Sequence, residues 1–110
     1  MQKFSLEAQA RELLAQAASS PGGRTAQTVM GGHERVLRQT VIAMISGAEL
    51  SEHANPGEAT VYVLRGRIRL AAGSESWEGR DGDLLVVPDA PHSLVALADS
   101  AVLLSVAKRR

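Results

Sequence analysis

The chain has 110 residues, enough for one hydrophobic core and short of a second. Hydrophobic residues make up 45%, and 12 Lys and Arg balance 12 Asp and Glu, which excludes a disordered polyelectrolyte and leaves no electrostatic footprint for nucleic acid or an anionic membrane. Cysteine is absent, which excludes disulfides and thiolate metal sites and suits a reducing, cytoplasmic setting.

Residues 4–18 read as a helix, because Phe4, Leu6, Ala10, Leu13, Leu14 and Ala17 recur at helical spacing. Ser5 is placed to cap it and Glu7 falls in its first turn, where the helix dipole favours an acid. Glu7, Arg11 and Glu12 interrupt any apolar stretch, so the segment does not read as a secretion signal. Ser19, Ser20, Pro21, Gly22 and Gly23 stop the helix. A lone helix of this length is marginal in water, so it must dock on the rest of the chain or on a partner subunit. Residues 1–23 are thus expected to form a helix and linker, and residues 24–110 the folded body.

From Arg24 onward the texture is that of strands. Thr25 to Met30, the Gly31-Gly32 turn and Val36 to Ile45 read as a hairpin. The apolar run Val41 to Ile45 is far too short to span a bilayer. Thr60 to Leu64 ends at Gly66, and Arg67 to Ala71 alternates charged and apolar residues as a half-buried strand does. Trp77 lies in a short strand before Arg80-Asp81-Gly82-Asp83. Leu84 to Val87 is closed by Pro88, and Ser93 to Leu97 and Ala101 to Ala107 complete the series. About eight short strands after one helix give an all-β sandwich or barrel. Phe4, Tyr62 and Trp77 are the only aromatic residues, so the core must be built from Val, Leu, Ile, Ala and Met.

The stretch from Gly47 through His53, Asn55, Glu58 and Ala59 to Gly66 resembles the first motif of the cupins. That motif runs glycine, five residues, His-x-His, three or four residues, Glu, six residues, glycine; Gly47, His53 and Gly66 fall in register with it. The stretch Gly82 to His92 resembles the second motif, with Pro88 in place and His92 one residue earlier than the usual pattern. Two motifs in the right order make the chain similar to small single-domain, RmlC-like cupins over roughly residues 25 to 107. The resemblance implies an antiparallel jelly-roll β-barrel with a cavity among its strands.

In metal-binding cupins the two motifs supply three histidines and one glutamate. Carried over by position, His53 and His92 match two of these ligands, Asn55 stands where the second histidine would be, and Ala59 stands where the glutamate would be, with Glu58 one residue earlier. A one-residue shift on a strand sends a side chain to the opposite face, so Glu58 reaches the cavity only if the backbone near Pro56-Gly57 is irregular. Gln39 is a further candidate, because the apolar character of both faces of its strand leaves its direction open. His33, after two glycines, reads as an exposed turn residue.

The resemblance therefore implies a divalent transition metal (Zn, Mn, Fe or Ni) held weakly by His53 and His92, or no metal and a small ligand instead. Three functions are compatible with this degenerate set. The first is a small-ligand-binding or sensor-type protein. The second is a metal-dependent dioxygenase or isomerase of a small polar substrate. The third is a structural dimerisation module. A homodimer and a small-molecule partner are expected, with neither nucleic acid nor membrane.

Overall fold

The computed structural model describes residues 2–54 and 57–108. Helix α1 spans Leu6–Ala17, two residues inside the expected start. Ser5 is its N-cap, with extended backbone and a side-chain oxygen that accepts the Ala8 N–H at 3.3 Å. At the other end the Ser20 hydroxyl donates to the Gln16 carbonyl at 2.7 Å, and a 3-10 turn over Pro21–Gly23 carries the chain into the first strand.

Nine strands follow among the described residues: β1 (Arg24–Met30), β2 (Leu37–Met44), β3 (Glu49–His53), β4 (Gly57–Arg65), β5 (Arg67–Ala72), β6 (Glu75–Arg80), β7 (Leu84–Val86), β8 (His92–Ala96) and β9 (Ser100–Lys108). The strand absent from the sequence reading is β3. Its Glu49-Leu50-Ser51-Glu52-His53 has one large apolar residue and no β-branched one. The strands form a five-stranded sheet ordered β1-β2-β9-β4-β7 and a four-stranded sheet ordered β3-β8-β5-β6. All described pairings are antiparallel, as a jelly roll requires.

Alternation along the strands divides the apolar residues into two clusters. On β2, Ile42 and Met44 point between the sheets and join Ala59, Val61, Val63, Ile68, Leu70, Leu94 and Val102 in the main core. Val41 and Ala43 point the other way, and Leu13 and Ala17 of α1 cover them. This explains why β2 is apolar on both faces: one face meets the opposite sheet and the other meets the helix. Helix α1 therefore docks on its own barrel, and the Thr25 hydroxyl ties it down by donating to the Leu13 carbonyl at 2.8 Å. The core holds no aromatic side chain, in keeping with the composition. Tyr62 and Trp77 remain 38% and 40% exposed. Trp77 sits on β6, an edge strand, and Tyr62 faces outward beside β7, an edge strand of the other sheet.

Candidate functional site

The fold brings His53 and His92 together. They are cross-strand partners on β3 and β8, with ring centroids 4.5 Å apart and ring planes inclined at 59°. Simple alternation would not do this. Leu50 pairs with Leu94 and His53 with His92, so three steps along β3 match two along β8. One extra residue is inserted, a β-bulge, and it turns His53 to the face that Leu50 already occupies. Without it, His53 would share the outward face of Glu49 and Ser51.

Each imidazole is held by its own backbone. His53 Nδ1 lies 2.8 Å from the Ser51 carbonyl oxygen, and His92 Nδ1 lies 2.9 Å from that of Ala90. A carbonyl oxygen only accepts, so Nδ1 carries a proton in both rings, and in the neutral form of each ring Nε2 is the nitrogen with the lone pair. A backbone carbonyl on the far nitrogen is the usual support for an imidazole that ligates through Nε2.

Beneath the pair, Ile42, Leu50, Val61, Leu70, Leu94 and Leu104 enclose a cavity of about 20 Å³. That is room for roughly one water molecule. A larger concavity of about 470 Å³ lies outside the barrel, between Leu37, Glu58, Thr60, Val86, Ser105 and Ala107, and holds neither histidine.

The remaining candidates are not at the pair. Glu58 belongs to an unbroken ladder in which Gly57, Glu58 and Ala59 face Lys108, Ala107 and Val106. With Ala59 buried in the main core, alternation puts Glu58 on the outer face, where it is exposed and borders the outer groove. Gln39 has the parity of Val41 and Ala43, so it too faces outward, and its Nε2 donates to Ser105 Oγ at 3.0 Å. Asn55 lies outside the described residues. Ala59, at the glutamate place of the motif, offers no donor atom. Among the described residues no group of three or more His, Cys, Asp and Glu side chains converges on a metal position. The apolar lining of the cavity was not singled out in the sequence; the signal for it was the inward parity of each strand, readable once β3 and its bulge are known.

The spacing of the two rings is one that a shared metal ion would accept. Two imidazoles bound through Nε2, each ring centre about 3.2 Å from the ion, stand about 4.5 Å apart at a right angle and about 5.2 Å apart at the tetrahedral angle. The observed 4.5 Å matches the first arrangement.

A family model described as the Cupin domain matches residues 40–107. A comparison with the curated proteins finds no match. Among solved structures the chain is similar to a conserved protein of unknown function from Streptococcus pyogenes. The two share 27% identity with a TM-score of 0.74 over 83% of this chain and 79% of that one. It is also similar to KdgF from Halomonas sp., at 26% identity and a TM-score of 0.67 over 83% and 84% of the two chains. An RmlC-like cupin from Desulfovibrio desulfuricans shares 25% identity with a TM-score of 0.67 over 76% of this chain and 81% of that one.

Proposed function

The chain belongs to the cupin family, and from that premise we propose that it binds a weakly held divalent metal ion through His53 and His92, with a small ligand completing the shell. The observation that carries this reading is the shared tautomer: both rings spend Nδ1 on a carbonyl two residues back and keep Nε2 free, 4.5 Å between centroids. The small interior volume supports the same reading, since about 20 Å³ leaves no space for an organic ligand inside the barrel. Any such ligand would sit at the mouth, above the imidazoles. When bound, the ion would supply a Lewis-acidic centre with open positions. The chain's own part is to orient two imidazoles over an apolar floor of Leu50, Leu70 and Leu94. Holding only two protein ligands and no carboxylate makes the ion exchangeable.

The test is metal content by mass spectrometry on untagged protein, beside a His53→Ala/His92→Ala control. Near-stoichiometric metal that disappears in the control is the expected result. No metal in either sample after reconstitution with Mn, Fe, Ni and Zn salts would overturn the proposal.

The homodimer belongs to the same proposal. It is supported by the outer half of the five-stranded sheet that α1 leaves uncovered, where Leu37, Tyr62, Leu84 and Val86 are 42%, 38%, 59% and 76% exposed.

A further inference from the structure

On the outer face of the four-stranded sheet, Arg67 of β5 and Arg80 of β6 stand directly opposite each other. Side chains so placed are about 5 Å apart at Cβ, and like charges there are destabilising. The neighbouring pair on the same face is of opposite sign: Arg69 faces Glu78, with Nη2 to Oε2 at 3.0 Å. Arg67 and Arg80 have no such relief. Glu78 is taken by Arg69, and Asp83 Oδ2 accepts the backbone N–H of Arg80 at 2.9 Å. Among the described residues neither guanidinium has an ion-pair partner.

The backbone under each arginine is nevertheless tightly held. The Arg67 N–H donates to Ser100 Oγ at 3.0 Å, and the Arg67 carbonyl accepts the Leu97 N–H at 2.9 Å. Ser100 is fully buried. Asp83 clamps Arg80 from both sides, since its own N–H donates to the Arg80 carbonyl at 2.8 Å. Two turn systems thus fix the backbone beneath two like charges. Between them lies a recess of about 80 Å³, bordered by Arg67, Glu78, Gly79, Arg80 and Asp83.

We propose that Arg67 and Arg80 form a binding site for the phosphate group of a small molecule. Each guanidinium presents a planar fork of donors suited to two acceptor oxygens. Two forks on neighbouring cross-strand positions suit a group with more than two oxygens and more than one negative charge, which a phosphate has and a carboxylate lacks. The carboxylates of Glu78 and Asp83 border the recess and Asp81 lies in the adjoining turn, but each is engaged by a donor of the chain: the Arg69 guanidinium, the Arg80 N–H and the Gly66 N–H. The site shares no residue with the His53–His92 pair and stands whether or not that pair holds metal.

The experiment follows amide and arginine side-chain NMR signals of the full chain during titration with inorganic phosphate. Acetate serves as the carboxylate arm, at matched ionic strength. Expected are saturable shifts confined to the surroundings of Arg67, Gly79 and Arg80, weakened about tenfold in Arg67→Gln and in Arg80→Gln and kept in Arg38→Gln. Acetate should bind more weakly than phosphate. A second readout is thermal: without phosphate Arg67→Gln and Arg80→Gln should unfold no lower than the parent, because a repulsion has been removed, and phosphate should raise the unfolding temperature of the parent and of Arg38→Gln more than that of either variant. Linear, unsaturable shifts, or saturable binding retained in both variants, would overturn the proposal and leave two solvated arginines. Tighter binding of acetate would overturn the assignment to phosphate.

Discussion

His53 and His92 are cross-strand partners, yet one is exposed and the other is 3% exposed. The difference follows from position. Strand β3 is the edge of its sheet, whereas β8 lies between β3 and β5. The same chemistry is thus mounted once on the rim and once in the wall.

The two histidines should therefore separate in stability while agreeing in binding. His92→Ala empties a packed position and frees the Ala90 carbonyl, at a cost of about 1–3 kcal/mol. His53→Ala should stay within about 0.5 kcal/mol of the parent, as exposed substitutions do. Each should abolish metal uptake. Urea unfolding with parallel metal analysis checks both statements.

Ala59 occupies the glutamate place of the motif and is 4% exposed. It lies one inward step along β4 from Val61, which lines the cavity. Ala59→Glu should lower stability by several kcal/mol in the presence of a chelator, because a carboxylate is buried without a partner. Adding Mn, Ni or Zn should recover much of that loss, since binding to the folded state alone stabilises it. Thermal unfolding with and without metal measures the difference, and an unchanged gap would remove Ala59 from the neighbourhood of the ion.

Leu84 and Val86 are the most exposed large apolar residues, and they lie on the edge strand β7. Exposed apolar edges invite pairing with another chain, and lysine blocks it. Sedimentation of the parent should give a dimer, and Leu84→Lys/Val86→Lys a monomer with an unchanged circular dichroism spectrum. A parent that sediments as a monomer would remove the dimer.

Gly66 joins β4 to β5 with φ at +98°, a region that disfavours any side chain. A Cβ there would also run into Ser100 Oγ and the Asp99 carbonyl. Gly66→Ala should cost more than about 1 kcal/mol and loosen the turn under Arg67, which denaturant midpoints and hydrogen exchange of the Arg67 amide would report.

Much of this architecture is legible in the chain because local chemistry agrees with it. Ser5 before an apolar period, Pro21-Gly22-Gly23 after it, and glycines at Gly66 and Gly82 mark boundaries that the structure keeps. The β-rich run Thr60 to Leu64 and the period-two pattern at Arg67 to Ala71 became β4 and β5, and the two motifs identified the family. The direction of Glu58 also follows from alternation, because β4 pairs with β9 without interruption from Gly57 to Val63.

Other features required the tertiary structure. Gln39 lies on a strand apolar on both faces, and only the docking of α1 over Val41 and Ala43 decides that its parity points outward. His53 reaches the cavity face through one inserted residue in β3, and a bulge depends on the register of the partner strand, which composition and period do not encode. Arg67 and Arg80 are thirteen positions apart in the chain, and the hairpin register alone makes them neighbours. Sequence by itself determined the helix, eight of the nine described strands and the family. Pairing between distant strands decided which side chains share a face, because each one-residue choice of register turns every side chain on a strand to the other side.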